Sequence, residues 1–171
     1  MVNLKQKIGN EFFARDSKTV AIDLIGRYLS RRIDDRVYHL EIIETGAYAG
    51  ISRKFGKEFS YSPGSIYIYS AQGRSKVLAI STLTEGIPSV ITLRKAMALE
   101  PLPGERYRTL IDGPGKLTKI LKIGKEFDGF SIENENLWIE GNAVDSCLVE
   151  HIKHSEAKMP DNCLGHFRLR I

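Results

Sequence analysis

The chain has 171 residues, of which 42% are hydrophobic and 27% charged, with a formal net charge of +4. That length holds one sizeable core but not two comfortable domains, so a single domain over residues 1–171 is expected. No run approaches the roughly 18 consecutive apolar residues of a membrane span, and the basic balance suits an anionic partner without identifying one.

In chain order, the opening Met1-Val2-Asn3-Leu4-Lys5 lacks the apolar segment of a secretory signal, and a cytoplasmic, nucleoid-associated location is the expectation. Asp16 and Ser17 are placed to cap a helix whose apolar positions Val20, Ala21, Leu24, Ile25 and Tyr28 recur at helical spacing, a pattern that core packing explains. Arg31 to Asp34 and Val37 to Thr45 read as strands joined around Asp34-Asp35-Arg36, which predicts a hairpin. Further β-type runs cover Ser65 to Ala71, Val77 to Leu83, Ser89 to Leu93, Leu137 to Glu140 and His166 to Ile171. Helical runs are scarcer, the best being Glu105 to Ile111 and Lys116 to Lys122, the second following the Gly113-Pro114-Gly115 turn. Strands grouped without regular strand–helix alternation predict an α+β domain, a curved and mainly antiparallel sheet with flanking helices.

Cys147 and Cys163 form no ligand cluster and are expected to be free thiols. His39, His151, His154 and His166 lack metal-ligand spacing, and His151 and His154 read as surface residues, so no metal or cofactor is expected.

The segment Glu44-Thr45-Gly46-Ala47-Tyr48 closes a strand-like run and is followed by Pro63-Gly64-Ser65-Ile66-Tyr67-Ile68-Tyr69. Strand alternation puts Ile42, Glu44, Gly46 and Tyr48 on one face and Glu41, Ile43, Thr45 and Ala47 on the other. Tyr67 and Tyr69 likewise share a face, so two aromatic-bearing strands could wall a slot the width of a planar ring. Tyrosines in strands are also frequent packing residues, and composition alone favours that reading.

An ordered string of motifs shifts the balance. The two segments above, then Ala98-Leu99-Glu100-Pro101-Leu102, Gly113-Pro114-Gly115-Lys116-Leu117, Phe127-Asp128, Leu137-Trp138-Ile139-Glu140 and a terminal strand bearing Phe167, resemble in order the alkyladenine (3-methyladenine) DNA glycosylases. The resemblance implies a monomeric, cofactor-free base-excision enzyme. It would bind double-stranded DNA, flip a damaged purine into a tyrosine-walled pocket and hydrolyse the bond from base to sugar. Tyr48 and Tyr69 match the family's two wall tyrosines. Gly46 stands where the family has its water-activating glutamate, Ala79 where it has the asparagine that screens against guanine, and Gln72 where it has the residue wedged into the duplex. Arg94 matches the arginine that helps hold the catalytic water, with Met97 the alternative if the insertion before Ala98 falls elsewhere.

No histidine between Ala49 and Ser62 matches the one that the family brings into the pocket, although that loop keeps Arg53, Lys54 and Lys57. Glu44 lies about 6–7 Å from position 46 at ordinary strand rise, close enough to act through a bridging water, or it is a structural anchor that needs a partner. Arg74 and Lys76, beside Gln72, and Lys116, at the head of a helix with Lys119, Lys122 and Lys125 beyond it, are candidates for phosphate contacts; a solvated helix face is the alternative for the lysines. Slow excision of cationic alkylpurines is one outcome. Capture of the lesion without cutting is its rival, and an unrelated nucleic-acid-binding domain on the same fold is a third.

Overall fold

The computed structural model describes residues 6–50, 60–71, 73, 75–154 and 162–170. Helix α1 (Ser17–Leu24) opens at Asp16, which stands in extended backbone and accepts hydrogen bonds from the Thr19 amide (2.9 Å) and hydroxyl (2.6 Å), the expected N-cap. Its Val20, Ala21 and Leu24 are buried.

The strands are β1 (Tyr28–Ile33), β2 (Arg36–Ala49), β3 (Ile66–Ala71), β4 (Ser75–Ser81), β5 (Ser89–Ala98), β6 (Leu110–Asp112), β7 (Leu137–Glu140), β8 (Val149–Ile152) and β9 (Cys163–Leu169). They form one curled antiparallel sheet whose main path runs β3-β4-β5-β2-β1-β7, so the domain is α+β as expected. The expected hairpin turns at Asp34, whose φ of 52° is the left-handed conformation that Asp tolerates. The long strand β2 is the axis of the sheet. One of its edges pairs with β5 from Leu40 onward, and the other with β1 up to Glu41 and then with β9 from Glu44.

Two expectations are corrected. Glu105 to Ile111 is not a helix: the Pro103-Gly104 turn precedes it, and Leu110 to Asp112 is drawn into strand β6 against Met97, Ala96 and Lys95. Sheet pairing overrides helix propensity there. The second helix, α2 (Pro114–Ile120), ends earlier than the lysine spacing suggested, and Lys122 leaves it with a left-handed φ of 50°. Its Thr118 hydroxyl donates to the Lys76 carbonyl at 2.9 Å and fixes α2 to β4.

The main core lies between α1, α2 and one face of the sheet, and includes Leu24, Leu40, Ile42, Ala47, Ile68, Leu78, Ile91 and Leu93. A second, smaller cluster lies on the opposite face and gathers Tyr48, Tyr69, Val77, Ala79 and Val90, with Tyr61, Tyr67, Ala71 and Cys163 packed around it. Cys147 is an exposed free thiol, and Cys163 is half-buried beside Tyr48.

Candidate active site

The second face is set by a β-bulge that alternation does not foresee. The β2–β5 register slips between Ile42 and Glu44 and again between Glu44 and Thr45. Ile42 therefore packs in the main core with Ala47, and the Thr45 hydroxyl donates to the Ala21 carbonyl of α1 at 2.8 Å. The expected grouping of Ile42 with Glu44, Gly46 and Tyr48 is corrected: the bulge rephases the strand, leaving Glu44, Gly46 and Tyr48 on the outer face.

On that face five strands align one row of residues. Tyr67 on β3 pairs with Ala79 on β4, Ala79 with Thr92 on β5, Thr92 with Gly46 on β2, and Gly46 with His166 on β9. Small residues at 79, 92 and 46 form a buried row. Tyr48 and Tyr69 stand beside it in one cluster, and the Tyr67 ring stacks on Tyr69 with centroids 5.5 Å apart. Tyr61 extends this wall against Tyr67 and donates its hydroxyl hydrogen to Asp128 at 2.9 Å. Burial pushes the Tyr48 phenol up to about 12, with Cys163 adding to the shift, and raises Tyr69 as well, so both walls are neutral.

His166 is the residue that the sequence reading missed. It is 5% exposed, its Nε2 lies 2.8 Å from the Tyr48 hydroxyl, and its Nδ1 lies 2.9 Å from Nε2 of the exposed His154. Burial first, then the positive field of Arg94 and the neighbouring His154 and His151, pulls its pKa down to about 4. A histidine thus does reach the pocket face, from the last strand and not from the loop before Tyr61.

The ring also closes the space at Gly46. A Cβ there would meet Thr92 Oγ1 at 2.9 Å, Tyr48 Cε2 at 2.9 Å and His166 Cδ2 at 3.0 Å. The signal available in the sequence was the glycine itself, since a glycine inside a strand marks close approach of another group. Thr92 is 1% exposed, and its hydroxyl faces position 46 and the Tyr48 phenol.

Glu44, 9% exposed, is charge-paired. Arg94 Nε donates to its Oε1 at 3.0 Å, and Lys95 Nζ lies 3.8 Å from its Oε2. The partner expected for Glu44 is thus Arg94, which also lowers the tendency of His166 to protonate. Met97 lines a separate cavity of about 330 Å³ with Ile43, Glu44, Lys95, Leu110 and Arg168.

The basic candidates divide. Gln72 and Arg74 lie outside the described residues, as do Arg53, Lys54 and Lys57 of the preceding loop. Lys76 lines an open groove of about 490 Å³ with Ser75, Thr118, Lys119 and Lys122. Lys116 is exposed at the start of α2 but does not line it, and Lys125 donates to the Ile68 carbonyl at 3.0 Å. The expected stripe of four lysines is thereby broken.

A family model described as methylpurine-DNA glycosylase matches residues 11–156. The chain belongs to this glycosylase family. Its relatives include a protein of Borreliella afzelii (strain PKo), 33% identical over 136 residues that cover 73% of each chain. One from Anaeromyxobacter sp. (strain Fw109-5) is 34% identical over 145 residues, covering 78% of this chain and 72% of the relative. One from Desulfitobacterium hafniense (strain Y51) is 29% identical over 173 residues, covering 84% of each. All three carry the provisional name 3-methyladenine DNA glycosylase. The family match contains Glu44, Gly46, Tyr48, Tyr69, Ala79, Thr92 and Arg94 but stops short of β9, so the Tyr48–His166 bond joins the matched region to a strand beyond it.

Proposed function

We propose that the chain is a monofunctional DNA glycosylase of base-excision repair that binds duplex DNA as a monomer, without a cofactor, in the cytoplasm and on the nucleoid. Its substrates are cationic alkylated purines of the 3-methyladenine and 7-methylguanine type, flipped from the duplex and held between Tyr48 and Tyr69. The observation that carries this reading is the row of small residues Ala79, Thr92 and Gly46 beside the neutral Tyr48 and Tyr69, in a chain of this family. An electron-rich tyrosine face attracts a cationic purine by about 0.5–2 kcal/mol per contact, a preference that an uncharged base does not receive. Arg94, fixed by Glu44, orients the attacking water, so Glu44 acts through Arg94. Lys76, Lys119 and Lys122 offer a phosphate a basic groove between β4 and α2, and Gln72, Arg74 and Lys116 remain candidates for the same strand contacts.

Substrate choice follows from protonation. A cationic base leaves as a neutral molecule, whereas hypoxanthine needs a proton delivered as it departs. His166 is neutral at physiological pH, and Glu44 faces Arg94 and Lys95, so neither is placed to supply that proton. Single-turnover excision from duplexes carrying one 7-methylguanine or one hypoxanthine tests the reading. Release of 7-methylguanine well above spontaneous depurination, with none of hypoxanthine, is expected; equal rates would contradict it.

A second reading, capture of the lesion without hydrolysis, is favoured by one observation: a side chain at Gly46, where the family has its base, would have to displace His166, Thr92 or Tyr48. It predicts preferential binding to the lesion duplex with no release.

A further inference from the structure

The Thr92 hydroxyl, the Tyr48 phenol, buried His166 and exposed His154 form a line from the Gly46 position to solvent. Each imidazole nitrogen of His166 faces one partner, Tyr48 on one side and His154 on the other. A neutral imidazole has one donor and one acceptor nitrogen, so such a line has a direction. When Tyr48 donates to Nε2, the Nδ1 hydrogen of His166 points to His154.

The geometry points to a proton relay, Tyr48 to His166 to His154, that carries the proton of the attacking water out of the pocket and takes the place of the carboxylate that Gly46 does not supply. This inference rests on the glycosylase reading above. In the step, the water oxygen bonds to sugar C1′ as the C1′–N9 bond breaks. The electron pair of the broken bond stays on N9 and neutralises the cationic base. The surplus proton of the water passes to Tyr48 Oη while the phenol hydrogen passes to His166 Nε2. The Nδ1 hydrogen moves to His154 Nε2, and His154 releases a proton to solvent. One water is consumed, one proton leaves, and nothing is oxidised or reduced. Thr92 Oγ1, buried and facing position 46, is the group placed to hold that water.

The surroundings suit conduction better than storage of charge. The groups around His166 are the Arg94 guanidinium from β5, His151 from β8, His154 just beyond it, Tyr48 from β2 and Cys163 from its own strand. The guanidinium and the neighbouring imidazoles disfavour an imidazolium at 166, so a proton enters one nitrogen as another leaves the opposite one. The relay brings no proton to the departing base, which again confines the reaction to cationic lesions. His166 and His154 are positioning residues in this scheme, since neither touches the reacting atoms.

The test is single-turnover excision of 7-methylguanine by the wild-type chain, His166→Gln and His154→Ala, the last with and without imidazole in the buffer. His154 is exposed, so its replacement leaves the fold intact, and circular dichroism checks this for both variants. Each variant is expected to be roughly ten- to a hundredfold slower, with imidazole restoring most of the His154→Ala rate from solvent. A His154→Ala rate within about twofold of wild type overturns the relay while leaving the glycosylase reading standing. Slowing that imidazole does not reverse gives His154 a structural role and overturns the relay equally. Absence of wild-type release above spontaneous depurination overturns the glycosylase reading itself, and the relay with it.

Discussion

Two positions on the same face of β2, separated by one residue, have surroundings opposite in kind. At Glu44 the strand holds a carboxylate fixed by Arg94 and Lys95, a closed arrangement of charges. At Gly46 it holds no side chain, and the adjoining groups are uncharged: a threonine hydroxyl, a phenol that resists ionisation and an imidazole that resists protonation. A charge-paired carboxylate gives up its partner's stabilisation on taking a proton, whereas a neutral hydrogen-bonded line can pass one along without creating a buried charge. Under the proposed relay, the chemically idle position in the sequence is the reactive one in the fold.

Four changes test this contrast. The largest effect is on acid stability. His166 has a folded pKa of about 4, below the ordinary 6.5 of an unfolded histidine, so between these values only the unfolded chain takes up the proton. Stability from this residue is complete above pH 6.5 and is lost as pH falls toward 4, by up to about 3 kcal/mol. Denaturant unfolding of wild type and His166→Gln across this range should show that part of the slope vanish in the variant. A slope unchanged by the substitution would remove His166 from the account.

Next is Gly46→Glu. Its Cβ must displace Thr92, Tyr48 or His166, so overpacking should cost about 1–3 kcal/mol in urea melts and should not raise excision. A stable variant with faster excision would mean that the pocket opens for a carboxylate after all. Glu44→Gln removes the anion facing Arg94 and should cost about 1–2 kcal/mol with a loss of only a few-fold in excision. The smallest change is at the groove. Replacing Lys76, Lys119 or Lys122 by Ala should lower duplex affinity for damaged and undamaged DNA alike and reduce the salt dependence by about one phosphate contact or less each, read from binding at several salt concentrations.

The fold was largely legible in the sequence because its elements are local. Asp16 caps α1 through its own neighbour Thr19, and the Asp34 turn joins β1 to β2. Leu110 to Asp112 was not, because its strand character comes from pairing with β5 and not from its own pattern. The bulge at Ile42–Glu44 escaped for a related reason: both faces of β2 are buried there, so no polar alternation marks the slip. In the site, Tyr48 and Tyr69 carry sequence motifs, but His166 lies 120 positions from Gly46 and meets it only through the β2–β9 register. No local pattern encodes that pairing.

The most direct test of the contrast is side-by-side single-turnover excision of 7-methylguanine by Glu44→Gln and His166→Gln, with rates corrected for the folded fraction. The account predicts that His166→Gln falls roughly ten- to a hundredfold below wild type while Glu44→Gln stays within about fivefold. A greater loss in Glu44→Gln than in His166→Gln would contradict it and return the chemistry to the carboxylate.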